Sequence, residues 1–195
     1  MLYLASQSPR RAELLRQIGV EFCIHPANVD ETPLTDESPK AYVQRVAQDK
    51  AHAVFDQLAV LMMEPYQVLA ADTSVVVDGQ LLGKPQDAAE AQRMLQQLSG
   101  RQHDVFTAVA LQNAQGLRTA LSCSQVNFAP LSKACIAAYV ATGEPFDKAG
   151  GYGIQGLAGM FVQTLHGSYS GVMGLPLYET ANLLGLVGTK RNVGC

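Results

Sequence analysis

Ser6-Gln7-Ser8-Pro9-Arg10-Arg11, set directly behind the apolar run Leu2-Tyr3-Leu4-Ala5, is the stretch that orients everything after it. The apolar run predicts a short strand. Ser8 is a good side-chain cap and Pro9 suits the first helical position, where a missing N–H costs nothing. A helix is therefore predicted from here through Ile18, stopping at Gly19. Charge is the anomaly. Arg10 and Arg11 take the second and third helical positions, where the macrodipole favours anions and each cation forfeits about 0.3–1 kcal/mol. Something anionic must compensate. Free N–H groups, two hydroxyls and two guanidiniums on a strand-to-helix turn make a polyanion cradle. Two solvated arginines are the plainer alternative.

The chain has 195 residues, 48% of them apolar, enough for a substantial core in one domain or two lobes of one. A formal net charge of −3 argues against nucleic acid or an anionic membrane as partner, because such binders carry broad basic surfaces. Any phosphate site must be local. Cys23, Cys123, Cys135 and Cys195 form no CxxC pair and no zinc-type spacing with His25, His52, His103 and His166; they are expected to be reduced, partly buried thiols. No signal-peptide pattern opens the chain, and the apolar patch Leu58-Ala59-Val60-Leu61-Met62-Met63 is too short to span a bilayer. The expectation is a soluble, cytoplasmic protein.

Beyond Gly19, Val20-Glu21-Phe22-Cys23-Ile24 predicts a second strand, followed by the acidic turn Asn28-Val29-Asp30-Glu31-Thr32-Pro33. Ser38-Pro39 repeats the cap-plus-proline start, and a helix to about Leu58 places Val43, Val46, Ala47 and Val54 on one stripe. Lys50 falls on that stripe. It either snorkels outward or points into a cleft that holds an anion. The strongest strand signal is Val68-Leu69-Ala70-Ala71-Asp72-Thr73-Ser74-Val75-Val76-Val77, closed by an Asp78-Gly79 turn. Asp72 interrupts two apolar runs. A carboxylate so placed must meet a cation, bind a metal, or have its pKa raised toward the range of a general base; a structural Asp bonded to backbone N–H groups is the alternative.

Lys84 lies in a Gly83-Lys84-Pro85 loop, and a helix is predicted from Asp87 to Leu98. A hairpin from Arg101 to about Ala129 turns near Asn113 to Gly116, and a helix follows from about Ser132 to Thr142. Gly151, Gly153 and Gly156 form a literal G-x-G-x-x-G, but a helix and an acidic-proline turn precede it, so it is not a dinucleotide fingerprint. These glycines are expected to let backbone approach a ligand, with the Gln155 amide offering a donor and an acceptor to a base edge. Met160-Phe161-Val162 is predicted as a strand, Gly167 to Gly171 as a turn, Pro176 to Leu184 as a closing helix, and the tail from Gly188 as frayed.

Cations at the N-terminal turn, Lys50 and Lys84, with carboxylates at Asp30, Glu31 and Asp72, point to a metal-bound polyphosphate. Walker A spacing, a kinase motif set and a nucleophile elbow are all absent. Taken together, Ser6-x-Ser8-Pro9-Arg10-Arg11, Asp30-Glu31, Lys50, Ala71-Asp72-Thr73, Gly83-Lys84-Pro85 and Asp147-Lys148-Ala149-Gly150-Gly151-Tyr152-Gly153-Ile154-Gln155-Gly156 resemble the Maf family of nucleoside triphosphate pyrophosphatases over essentially the whole chain. The Tyr152-Gly153-Ile154-Gln155-Gly156 segment resembles the branch acting on dTTP and UTP, where the 7-methylguanosine branch has a Ser- and Glu-containing sequence.

The resemblance implies an inosine triphosphatase-like (Maf/Ham1) α/β fold: a mixed twisted sheet with flanking helices, two lobes around a central cleft, one domain over 1–195, often as a homodimer. It implies cleavage of a nucleoside triphosphate to the monophosphate and pyrophosphate with a divalent metal cation, Mg²⁺ or Mn²⁺. Modified pyrimidine nucleotides are further candidate substrates. Asp72, Glu31, Lys50 and Lys84 would form the catalytic set, with Asp72 the base or a metal ligand and Glu31 the carboxylate on the metal. Arg11, Lys50, Lys84 and the Ser8 hydroxyl would hold phosphate oxygens, and Arg10, Thr73 and Gln155 would set substrate choice. The cellular role would be pool cleaning or, through a cell-division partner, septum control. Three alternatives stay open: a 7-methyl-GTP pyrophosphatase, a nucleotide-binding regulator of septum formation with incidental hydrolysis, and a purely structural α/β domain.

Overall fold

The computed structural model describes residues 1–60 and 65–187. The opening apolar run forms strand β1 (Leu2–Leu4), and Ser8 caps helix α1 (Pro9–Gln17). Then come β2 (Cys23–Ile24), α2 (Pro39–Ala59), β3 (Gln67–Val77), β4 (Gln80–Leu82), α3 (Ala88–Leu98), β5 (Gln102–Asn113), β6 (Gly116–Phe128), α4 (Lys133–Ala141), β7 (Val162–His166), α5 (Tyr169–Met173) and α6 (Leu177–Leu183). Short 3₁₀ turns occupy Glu144–Asp147, Ala149–Gly151 and Leu157–Phe161. The sheet order is β2-β1-β3-β5-β6-β7, with β4 also against β3. β1 runs parallel to β2 and β3, and the other pairs are antiparallel, so the sheet is mixed, with helices on its faces as expected.

β3 reads as an almost unbroken apolar run because both of its faces are buried. Val68, Ala70 and Val76 pack with Val43, Ala47, Ala51 and Val54 of α2. On the opposite face Leu69 and Ala71 pack with Leu4, Leu15 and Leu175, while Val75 and Val77 join Leu95, Leu98, Ile136 and Phe128. β5 accompanies β3 along one edge from Val68 to Val76. The other edge is shared. β1 covers it only as far as Leu69, and β4 takes it up again at Val75, leaving residues 70–74 without a strand on that side among the described residues. The crevice so made lies beyond the carboxyl ends of β1 and β4, the kind of place where α/β sheets bind ligands.

Some elements differ from expectation. Only Cys23 and Ile24 of the expected Val20–Ile24 strand pair with β1, because β1 itself is three residues long, and Val20 and Phe22 instead pack beside the α1 core. β4 went unpredicted; three residues carry little periodicity, but Asp78 and Gly79, at φ 51° and 76°, make the two-residue turn that forces it back on β3. The strand expected at Met160–Val162 starts at Val162 and runs to His166, since Phe161 is drawn into the core at the end of a 3₁₀ turn and β6 offers its edge to the residues that follow. The turn expected at Gly167–Gly171 instead starts α5, because the Ser168 hydroxyl accepts from the Gly171 N–H at 3.0 Å. Cys23 and Cys123 are exposed rather than partly buried, Cys23 lying on the edge strand; Cys135 is half-buried. Leu61-Met62-Met63, the tail from Gly188 and Cys195 lie outside the described residues. No described helix is long and apolar enough to cross a membrane.

One buried polar contact makes stability depend on pH. His103 is 3% exposed, its Nε2 lies 2.7 Å from the Tyr152 hydroxyl, and the Phe128 and Tyr152 rings stand edge-on to it. Burial lowers its pKa from 6.5 to about 4. The folded protein therefore resists a proton that the unfolded chain accepts, so this contribution is complete above pH 6.5 and is lost as pH falls toward 4. Its size is about 3 kcal/mol. Urea unfolding at pH 7 and pH 4 should show a drop in stability that is smaller by about that amount in His103→Gln.

Candidate active site

The nine residues given catalytic, metal-binding or substrate-binding roles line one cleft of about 540 Å³ over the open edge of β3, a volume in the range of small-molecule sites, whereas Asp30 stays outside it and accepts from the Thr32 N–H at 2.9 Å. Its centre is electrostatic. Lys50, inward on α2, places Nζ 2.8 Å from Asp72 Oδ1 on β3 and 2.9 Å from Glu31 Oε1 on the loop before α2. Lys50 and Asp72 are 8% and 6% exposed, so Lys50 points into the cleft region rather than outward to solvent. Burial pushes the Asp72 carboxyl above its usual range; Lys50 and Arg11 oppose that rise, and Glu31 adds to it. Asp72 thus combines the two sequence options: it is paired with a cation and raised toward general-base range.

The acidic turn reaches this point because α2 holds it. Tyr42 donates its hydroxyl hydrogen to Glu31 O at 2.9 Å, Arg45 Nη2 donates to Thr32 O at 3.1 Å, and Arg45 is itself clamped by Glu37 at 2.7 Å. Tyr42 lines the cleft and went unnoticed in the sequence, although its position on the first turns of α2, ahead of Lys50, was the available signal.

Across the cleft, the two arginines are satisfied by different routes, Arg10 by an anion and Arg11 by neutral oxygens. Arg10 Nη1 lies 3.3 Å from Asp147 Oδ2, a residue of the glycine-rich motif to which no role was given. Arg11 turns inward: Nε donates to Gly174 O at 2.8 Å, Nη1 to Ser6 Oγ at 3.3 Å and Nη2 to Thr73 Oγ1 at 3.2 Å. Burial lowers its pKa, and the fields of Asp72 and Glu31 raise it again. Three of its five N–H groups are therefore committed within the protein, and two remain for a ligand. The Ser8 oxygen caps α1, accepting from the Arg11 N–H at 3.5 Å.

Lys84 and Gln155 are exposed on the cleft rim, and neither side chain has an ion-pair partner among the described residues. The backbone of the Gln155 segment is closely packed. A Cβ at Gly153 would sit 2.7 Å from Lys148 Cε, and one at Gly156 would sit 2.2 Å from Glu144 Oε1. Gly153 and Gly156 make room for side chains of the protein itself, while Gly153 also lines the cleft, and the Glu144 carboxylate accepts from the Leu157 N–H at 3.0 Å. The three glycines open no α-helix, in keeping with rejection of the dinucleotide fingerprint.

Among the described residues no group of three or more His, Cys, Asp or Glu side chains could hold a metal by itself. Glu31 and Asp72 are nonetheless two hard oxygen donors converging on one cationic position. That set suits a divalent ion held by one or two carboxylates together with oxygens of a bound anion.

Removing the cation should expose how strained this cluster is. Lys50→Met leaves a buried carboxylate unpaired and should cost about 3–5 kcal/mol in urea unfolding. Adding Asp72→Asn to Lys50→Met should recover most of that loss, as a double-mutant cycle would measure.

The Maf-like protein family model matches residues 1–187. The chain is 55% identical over 183 residues to a dTTP/UTP pyrophosphatase of Methylobacillus flagellatus, covering 94% of this chain and 90% of that one. It is 54% identical over 190 residues to a dTTP/UTP pyrophosphatase of Ralstonia nicotianae, covering 94% and 92%. Among solved structures, a nucleoside-triphosphatase / dITP/XTP pyrophosphatase of Mycobacterium abscessus aligns over 67% of this chain and 73% of that one at 20% identity, with a TM-score of 0.41. With a family model matched along nearly its whole length and relatives more than half identical to it, the chain belongs to the Maf family, on the branch that carries the dTTP/UTP pyrophosphatase name.

Proposed function

We propose that this cleft hydrolyses dTTP and UTP to the monophosphate and pyrophosphate. The observation that carries the proposal is a buried, pKa-raised Asp72 facing the same cleft as Arg10, Arg11, Lys50, Lys84 and the start of α1. A triphosphate is the kind of ligand that such a density of cations can neutralise. The names of the relatives support the pyrimidine assignment, and Arg10, Thr73 and Gln155 are the residues we assign to substrate choice. Residues 1–195 act as one unit whose two lobes wall the cleft, in our proposal as a cytoplasmic homodimer with a cell-division partner in a second role.

Chemically, Asp72 accepts a proton from a water as the water oxygen bonds to the α-phosphorus. The bond from that phosphorus to the α–β bridging oxygen breaks, and pyrophosphate leaves with the bridging oxygen. Ser8, Arg11, Lys50 and Lys84 hold phosphate oxygens in line. Glu31, the carboxylate beside Asp72, would hold Mg²⁺ or Mn²⁺ together with the triphosphate, which when bound neutralises charge on the phosphate oxygens. In the structure Lys50 occupies the position between these carboxylates, so its ammonium group holds the two oxygens together before any ligand arrives.

Pyrophosphate release should be measured from dTTP, UTP, CTP, GTP and 7-methyl-GTP, with and without Mg²⁺ or Mn²⁺. Metal-dependent release from dTTP and UTP is expected, falling by roughly 10²–10⁴ in Asp72→Asn; preference for 7-methyl-GTP would overturn the pyrimidine assignment. Because the base works only when deprotonated and burial raises its pKa, activity should fall as pH drops through a midpoint above 3.8.

A further inference from the structure

Gln155 sits at the corner of a turn that the protein holds from outside the cleft. The Gly156 N–H donates to the Gly153 carbonyl oxygen at 3.0 Å, which makes Ile154 and Gln155 the two central residues of a β-turn. Gly153, Ile154 and Gln155 line the cleft. Glu144 does not line it, yet its carboxylate closes the base of the turn. Oε2 accepts from the Leu157 N–H at 3.0 Å, and Oε1 accepts from the Tyr139 hydroxyl at 2.9 Å. The two oxygens thus tie the chain just after Gln155 to α4, where Tyr139 is buried.

The anchor itself is fixed. The Glu144 N–H donates to Thr142 Oγ1 at 3.2 Å, its carbonyl oxygen accepts from Lys148 Nζ at 2.6 Å, and the buried Pro145 restricts the backbone that follows. On the turn side, Gly156 has φ −97°, a value open to other residues, so it is space and not backbone shape that demands glycine there. A Cβ at that position would meet the Glu144 carboxylate before anything else.

We propose that Glu144 is a positioning residue that sets where the Gln155 turn stands in the cleft, and that it acts on the substrate through Gln155. The proposal rests on the assignment of Gln155 to substrate binding and choice. It adds a residue that never meets the ligand. Hydrogen bonds to a carboxylate are stronger than those between neutral groups, so the turn shifts only by giving up its bond to Glu144. One side chain thereby accounts for two features of the sequence: an acid at 144 that holds the turn, and a glycine at 156 that lets the acid reach it.

Glu144→Ala removes both carboxylate contacts and leaves every cleft-lining side chain in place. We expect KM for dTTP to rise about tenfold with kcat kept within about twofold, the pattern of a misplaced binding group. Glu144→Gln should restore KM, because the amide oxygen accepts from the Leu157 N–H while the NH₂ donates to the Tyr139 oxygen. In a Gln155→Ala background, Glu144→Ala should add nothing, whereas a merely structural role would raise KM by the same factor in both backgrounds. Gly156→Ala reaches the same contact from the other side and serves where Glu144→Ala melts well below wild type. It should raise KM as Glu144→Ala does, and cost nothing more in a Glu144→Ala background, where the space is free. An unchanged KM in Glu144→Ala or Gly156→Ala, or equal factors in the two Gln155 backgrounds, overturns the inference while wild-type release from dTTP stands. An unchanged KM in Gln155→Ala overturns the role of Gln155 and this inference with it. Absence of release from dTTP by the wild type overturns the proposed function as well.

Discussion

A single buried ammonium group shared by two carboxylates is the constraint on which the rest of this molecule turns. Lys50 Nζ lies within 2.9 Å of both Asp72 and Glu31, and neither Lys50 nor Asp72 has appreciable access to water. An isolated charge at such depth is strongly unfavourable, so α2 must lie across β3 at the register that brings Lys50 over Asp72, and the Glu31 loop must fold down onto both. Tyr42 and Arg45 hold that loop from α2 itself. The helix–sheet contact that forms the core therefore also assembles the site. Burial of Asp72 then does double service, because the desolvation that demands a partner also raises the carboxyl toward the basicity a proton acceptor needs.

The place of the site follows from a break in one edge of β3. Asp72 faces α2 and Thr73 faces α1 and α5, so the two adjacent side chains lie on opposite sides of the sheet. In a continuous sheet they would never meet one ligand. Here β1 stops at Leu69 and β4 begins at Val75, and through the gap both faces open to a single cleft. The start of α1 enters beside it directly from β1, and the Gly83-Lys84 loop enters directly from β4. Cations from one side and the Asp72 carboxylate from the other converge because the two strands end there.

Much of this was legible in the chain itself, and the reasons are local. Ser8-Pro9 and Ser38-Pro39 announce α1 and α2 because a cap and a proline act within one turn. An arginine at a helix start requires an anion, which Arg10 finds in Asp147, and an Asp inside an apolar run requires a cation, which Asp72 finds in Lys50. The nine site residues belonged to motifs that could be matched one by one. Short or edge elements were less legible: β2, β4 and β7 owe their limits to the partner strands that accept them, which no local periodicity records.

The amino-acid sequence by itself determined which charged and polar groups were available to the cleft, since residue type and burial pattern dictate charge, hydrogen-bonding capacity and the faces turned inward. It also determined the α/β class, through helix caps alternating with β-branched runs. Only the tertiary structure decided which anion serves which cation: Asp147 for Arg10, from 137 residues away, and Glu31 as the second partner of Lys50. Only it decided that the glycines near Gln155 make room for Glu144 and Lys148. These are pairings between residues far apart in the chain, and their energies depend on distance and desolvation, quantities that exist only once the sheet has brought the partners together.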